Sequence, residues 1–572
     1  MNSKKIMATV LATAVVATTV LAGCGKKAAS DTSKTEIDKD QYVNAFLKAE
    51  PQTLDISKAK DLYSSQILQE VTEGLTRLEK DDKGKEVTKP AGAESWTKSD
   101  DGLTWTFKIR DMKWSDGKAV SAKDYEYSIK RTLDPKTAAQ YAFFLYPIKG
   151  AQEYNSAKDD AKAAALKDAV GVKATDDKTL VITLAKPTAY FLDTTNFKVY
   201  LPQRQDVVEK AGDKYGTEAN TLVFNGPFKI KEWVHQNKFT LEKNADYWDA
   251  KNVKLNTVNF KIIKDEEARM KELYNGSTDI GGVRKTEWMQ KYDQAGKFTK
   301  LEGFDGSSVY QFYNTKPEYN GQKNIFSNVK VRQAFSLALN REDIVKTLYK
   351  GLGKPAYGWV PNEILIGGEE FRSKVEEPIK KLADANKDPK ALFIEGLKEL
   401  GLGDDPSKIS VEYLSSGTDA QSKEISEYYQ QTYQKALGIK MTIKYVEWNI
   451  FQNMTDKMEY QLGGMAWGAD YNDPMTFMDM WMTGANMVPT GWESKDYDAF
   501  IEKASNSIDP KVRTQAFADA EKFFLVDQSV ITPVIYRKYA YYEYKYVKNA
   551  MFVNFGQLQE FKYAYTQGRP AK

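Results

Sequence analysis

The chain has 572 residues, 41% hydrophobic and 28% charged, with a formal net charge of +3, a globular composition too long for one core, since single cores stop growing near about 250–300 residues. One cysteine and one histidine exclude an internal disulfide and leave almost no material for Cys/His metal sites or for Ser-His-Asp and Cys-His catalysis. The near-balanced charge, without basic clusters interleaved with aromatics, argues against nucleic acid as a partner.

Residues 1–23 have the parts of a secretory signal: Lys4 and Lys5, an uncharged run from Ile6 to Ala22, then Leu21-Ala22-Gly23-Cys24. The run is too short and too threonine-diluted for a spanning helix. The cysteine after the small residues resembles the bacterial lipobox. That resemblance implies a diacylglyceryl group on Cys24, which becomes the mature N-terminus and anchors the protein to the cell membrane. Residues 24–40 are rich in Lys, Ser, Thr, Ala and Asp without apolar periodicity, and read as a flexible tether.

Strand and helix signals alternate along the body, which predicts a mixed α/β chain. Thr104 to Ile109 alternates with period two and reads as a half-buried strand. Ser115-Asp116-Gly117 is a turn. Ser121-Ala122-Lys123-Asp124 resembles a capping box opening a helix to about Arg131, stopped by Asp134-Pro135. Residues 156–170 read as a surface helix, and Leu180 to Leu184 as a strand after the polar turn Asp176-Asp177. Asn225-Gly226-Pro227 breaks the chain before strands at Phe228–Trp233 and Phe239–Leu241, and His235 reads as a solvated residue at a hairpin tip. Val331, Ala334, Phe335, Ala338 and Leu339 form one helical stripe with Asn328 as a possible cap. Residues 378–400 read as a charged amphipathic helix, and Ser422 to about Leu437 as another. Ile443–Val446 reads as a strand, a helix begins at Glu447-Trp448, and Thr532–Tyr536 is a late strand.

The most informative stretch is Ala466-Trp467-Gly468-Ala469-Asp470-Tyr471-Asn472-Asp473-Pro474. Gly463 to Trp467 reads as a strand end and Gly468 to Asn472 as a loop. Pro474 suits the first helical position with Asp473 as its cap. Chemistry alone gives Asp470 two readings, a carboxylate facing a cleft or an Asx turn at helix entry.

Several motifs occur together and in order: Glu94-Ser95-Trp96, Asp101-Gly102-Leu103-Thr104-Trp105-Thr106-Phe107, Lys113-Trp114-Ser115-Asp116-Gly117, Leu133-Asp134-Pro135, Tyr141-Ala142, Asn225-Gly226-Pro227-Phe228, Asp246-Tyr247-Trp248, Val331-Arg332-Gln333-Ala334 and the Trp467–Pro474 stretch. Together they resemble the bacterial extracellular solute-binding proteins of the oligopeptide/dipeptide class, from about Tyr42 to about Tyr565. The resemblance implies an α/β fold like that of the periplasmic binding proteins, with two lobes and an extra domain, and a ligand cleft between the lobes. On that pattern lobe I takes residues 41–76, 201–302 and 538–568, the additional domain 77–200, and lobe II 303–537. It implies a monomeric, non-enzymatic lipoprotein without cofactor or metal, handing oligopeptides to the permease and ATPase subunits of an ABC transporter. Asp470 would bind the peptide's α-ammonium, with Trp467 and Tyr141 along the ligand. Gly468, Tyr471, Gln311, Gln421, Trp448 and Asn225 are the other candidate peptide-binding residues.

The sequence also departs from the best-known peptide binders. An arginine they carry three positions before the tryptophan is Gly464 here, and charged pocket residues appear, on a loose alignment, as Gln311, Phe197 and Gln421. Trp359 is a further aromatic that either lines the cleft or belongs to the core. A dedicated signalling-peptide receptor is an alternative within the same class. A metal-chelate or haem carrier on the same fold is another, with one histidine against direct ligation. An enzyme finds no support, since neither Gly-x-Ser-x-Gly nor Gly-x-x-x-x-Gly-Lys-Ser/Thr occurs.

Overall fold

Alternation builds the first sheet. In Tyr42–Leu47 every second residue, Val43, Ala45 and Leu47, is buried, as a strand with one face on a core requires. It pairs in parallel with Thr257–Ile262, which pairs antiparallel with Lys238–Lys243, and that with Phe228–Val234. The computed structural model describes residues 36–570 apart from 82, 83, 85, 284, 419, 486, 556 and 557. The leader, Cys24 and most of the tether lie outside the described residues.

A second four-stranded sheet runs in the order Ala93–Lys98, Thr104–Ile109, Thr179–Thr183, Val172–Asp176. The helix Ala122–Leu133 covers it. Ser121 and Asp124 form the expected capping box, and Tyr125, Ile129 and Leu133 are fully buried at four-residue spacing. This segment has no core of its own. Phe107, Ile129 and Ile182 belong to one apolar cluster with Tyr310, Trp359 and Trp481 from the third sheet. Trp359 is thus a core residue, fully buried, its indole 4.6 Å from the ring of Tyr310.

The third and largest sheet has seven strands, ordered Ile280–Gly282, Ile531–Tyr544, Phe298–Tyr313, Leu462–Gly468, Ser410–Ser416, Lys440–Val446, with Gly353–Pro355 also paired to Ile531–Tyr544. Two of its strands join the apolar clusters. Phe298, Ala540, Tyr542 and Tyr544 pack with the first sheet, whereas Tyr310, Phe312 and Ile531 pack with the second, and Tyr313, Val534 and Ile535 with the helices around Val329–Ala338. The register of this antiparallel pair breaks between Phe304 and Ser308, opposite Lys538 and Tyr536. A bulge there bends the pair where it passes from one core to the next.

Helix Val329–Ala338 has the expected stripe, and Asn328 caps it by accepting from the Val331 N–H at 3.2 Å. Three readings change. Residues 378–400 are two helices, Pro378–Ala385 and Pro389–Glu399, because Pro389 cannot continue the first and starts the second. Residues 156–170 contain only Asp160–Lys167 as helix. The late strand is Ile531–Tyr544, far longer than Thr532–Tyr536, since it contributes to three apolar clusters in turn. His235 sits at the expected hairpin tip, 49% exposed, but its ring bonds Glu50 and Glu218, which hold its pKa above the usual value.

Candidate functional site

The strand Leu462–Gly468 sits inside the large sheet, yet only part of it has two neighbours. Along its whole length it pairs with Phe298–Tyr313. On the other side Ser410–Ser416 pairs with it only at Leu462 and Gly463. From Gly464 to Gly468 that second edge meets no strand among the described residues, and Ala466 and Gly468 are exposed. Unpaired main-chain groups in an otherwise ordered strand are a template for another extended chain.

This edge borders a cavity of about 620 Å³. Its walls come from every part of the fold: Asp61 and Leu62 from the start of the first helix, Tyr141, Phe197 and Lys198 from the segment around the second sheet, Trp448, Ala466–Asp470, and Arg537–Tyr541 of the long strand.

Asp470 stands two residues past the strand. Its backbone N–H donates to Thr476 Oγ1 at 3.2 Å, and no hydrogen bond or ion pair from a described residue reaches its carboxylate. The Asx turn at helix entry belongs instead to Asp473, whose Oδ1 accepts from Met475 N at 3.0 Å, with the short helix Met475–Met478 starting one residue later than expected. Asp473 is also paired bidentately with Arg513 at 2.7 Å, both side chains buried. Burial pushes the Asp470 carboxyl up to about 6, and Lys198 partly counters this. The Lys198 ammonium lies 4.1 Å from the Tyr141 ring centre and 4.2 Å from that of Phe197, with only 3% of the residue exposed. Burial pulls it down to about 8 against the attraction of Asp470 and Asp61. Asp470, followed by burial, raises the Tyr141 phenol.

Asp470, Trp467, Gly468, Tyr141 and Trp448 therefore share one cavity. Trp467 is fixed by its indole N–H donating to Thr476 O at 2.9 Å. Trp448 is 48% exposed and stacks on the buried Phe451 at 5.6 Å. Gln311 and Gln421 line a second cavity of about 240 Å³ that shares Ala466, Arg537 and Lys538 with the first.

Two candidates fall elsewhere. Tyr471 is buried between segments, stacked on Tyr190 at 4.8 Å and edge-on to Phe144 at 5.4 Å, because the loop turns its ring away from the cavity. Asn225 is buried beside Glu73, where its Oδ1 accepts from the Glu73 N–H at 2.9 Å; it pins a loop and does not line the cavity. Sequence reasoning missed Lys198, Asp61 and Arg537. For Lys198 the one available signal was a charge inside the apolar run Phe197–Leu201.

A carboxylate without a partner in an aromatic-walled cavity, at the end of an unpaired strand edge, is suited to a cation carried on an extended backbone. Comparison with known proteins agrees in kind. Residues 87–488 match the model of the bacterial extracellular solute-binding proteins, family 5. The chain is 34% identical over 526 residues to the dipeptide-binding protein DppE of Bacillus subtilis, covering 92% of this chain and 91% of that one. It is 32% identical over 534 residues to the oligopeptide-binding protein OppA of the same organism, covering 91% and 92%. Among solved structures, the substrate-binding domain of an oligopeptide ABC transporter from Bacillus anthracis superposes with a TM-score of 0.77 at 31% identity, covering 93% of this chain and 99% of that one.

Proposed function

The chain belongs to the bacterial extracellular solute-binding proteins of family 5, non-enzymatic components of transport, and from this premise we propose that it captures extended oligopeptides for an ABC importer and delivers them to the permease. The observation that carries this reading is the unpaired edge from Gly464 to Gly468 leading to the unpartnered carboxylate of Asp470. A peptide adds to that edge through main-chain hydrogen bonds, which ignore its side chains. Its α-ammonium, with an ordinary pKa of about 7.7–8.0, is charged at neutral pH and supplies a directly bonded cation, which Asp470 does not have among the described residues, where Lys198 acts on it only through space. Tyr141, Trp467 and Trp448 give flat apolar walls beside it.

The two long strands with their register break act as the hinge between lobes I and II. Closure around the ligand gives the state the importer recognises. Cys24 carries the lipid that holds a monomer at the extracytoplasmic face of the cell membrane, and the residues after it are the tether.

Asp470→Asn tests the central step. Titration calorimetry with free peptides should show a roughly hundredfold weakening, the scale expected when one member of an enclosed ion pair is neutralised, with circular dichroism unchanged. N-acetylated peptides bind more weakly to begin with and lose little more on mutation. Equal losses for free and acetylated peptides would remove the amine clamp.

A further inference from the structure

Lys198 is a buried cation on the wall of the main cavity with nothing to bond. It opens the turn Lys198–Tyr200, and its neighbours Phe197, Val199, Tyr200 and Leu201 are all buried, so the chain carries the lysine inside with them. The rings of Tyr141 and Phe197 face its ammonium at 4.1 Å and 4.2 Å. Ring faces attract a cation but accept no ordinary hydrogen bond. No hydrogen bond or ion pair from a described residue reaches the ammonium. Two carboxylates attract it through space, Asp470 and then Asp61. Asp61 is committed elsewhere. Its Oδ1 accepts from the N–H groups of Tyr63 at 3.0 Å and Ser64 at 2.8 Å, and its Oδ2 from Ser64 Oγ at 2.6 Å, which caps the first helix. Once a ligand's amine reaches Asp470, one uncommitted carboxylate faces two enclosed cations. An enclosed charge without a partner is costly, so the surplus is either balanced by the ligand or lost.

We propose that Lys198 reads the charge of the ligand's first two residues, favouring a carboxylate side chain that takes its N–H groups and penalising a basic one. The proposal rests on the peptide reading, with the amine at Asp470. Asp470 is the stronger of the two attractions on Lys198, which puts the ammonium beside the amine end. At about 3.4 Å per residue, a fifth residue lies about 14 Å further along an extended chain, out of contact. A neutral peptide leaves the surplus unmet, and Lys198 then gives its proton to the buffer. Burial already pulls this ammonium down to about 8, and a second cation beside it favours the neutral amine further. The groups facing it from other elements are Asp470, Asp61 and the Tyr141 phenol. That phenol is held neutral by Asp470 and burial.

The test uses pentaalanine and its variants with Glu or Lys at position one, two or five, each with a free amine. They are titrated calorimetrically near pH 7.5 against the wild type, Lys198→Met and Lys198→Arg, in two buffers of different ionisation enthalpy. In the wild type, Glu at position one or two should bind about tenfold to a hundredfold tighter than Ala, the scale of a hydrogen bond to a charged group. Lys there should bind weaker than Ala, and position five should matter less than about twofold. Lys198→Met should erase these differences and bind pentaalanine severalfold tighter than the wild type does, because the amine is no longer repelled. Lys198→Arg should keep the preference for Glu. The paired buffers count protons. With pentaalanine the wild type should release about half a proton more than either variant, since only lysine can titrate there, a difference that a merely structural side chain does not produce. The same order of peptides in the wild type and Lys198→Met, an equal effect of Glu at position five, or equal proton counts would each overturn the proposal. Should Lys198→Met lose its circular dichroism, the wild-type order and the Lys198→Arg proton count decide in its place. Continued binding of pentaalanine in any of these cases shows that the peptide reading itself stands. A wild type that binds none of these peptides removes both.

Discussion

The phenolic oxygen of Tyr413 fills the space that a side chain at Gly464 requires. A Cβ built on Gly464 meets that oxygen well inside van der Waals contact, while the nearest ring carbon, Cζ, is 3.5 Å away and acceptable. Gly464→Ala should therefore destabilise the protein by about 1–3 kcal/mol, the usual cost of overpacking. Tyr413→Phe removes only the offending oxygen, so the double variant should recover most of the loss. Denaturant midpoints of the four proteins form the cycle. Additive losses would show that the two positions do not share the space.

That pair also marks the limit of what the sequence reveals. Gly464 is visible as a departure, but Tyr413 lies 51 residues earlier on a neighbouring strand, and nothing in its local pattern announces the exchange. Elements governed by local chemistry are legible: the Ser121–Asp124 box, the Asn328 cap and the Thr104–Ile109 strand appear where their residues predict. The same local logic errs when two causes compete. The periodicity across 378–400 continues through Pro389, whose ring splits the helix. For the site, Asp470 and Trp467 stand in one recognisable run. Lys198 and Arg537 reach the cavity only through the packing of distant segments, and Asn225 and Tyr471, prominent as motif residues, serve the scaffold.

The acid–base chemistry of the cavity sets a pH window for binding. Asp470 must be ionised to hold an ammonium, and burial raises it from 3.8 to about 6. Affinity should fall about tenfold per pH unit below 6. It should fall again above about 8, where the peptide amine loses its proton. Asp470→Asn should abolish the acid limb and keep the alkaline one less steep. The same displacement has the opposite sign for the empty protein. A carboxyl raised on folding favours the folded state at low pH and loses that advantage as pH rises from about 4 through about 6. Removing it should therefore stabilise the ligand-free protein at pH 7 by about 1–3 kcal/mol, read as a higher Tm than wild type, while weakening binding. A lower Tm at pH 7 would show that Asp470 is compensated by more than Lys198.

Capture should be visible in the tryptophans. Of the eleven in the chain, only Trp448 and Trp467 border the main cavity among the described residues. Trp467 is fixed by its bond to Thr476. Trp448 is 48% exposed, at the opening of a helix whose Phe451 is buried beneath it. A ligand on the free strand edge, enclosed by closure, takes water from the Trp448 indole. Its emission should shift to the blue when a peptide is added, saturating at the calorimetric dissociation constant. Trp448→Phe should lose most of that shift yet keep the fold, because half of the side chain contributes nothing to the core. Its affinity should drop only a few fold, since the smaller ring still stacks on Phe451 and covers part of the same ligand surface. A shift that survives Trp448→Phe and disappears in Trp467→Phe would place the enclosed face at the strand itself, with the helix that carries Trp448 taking no part in closure.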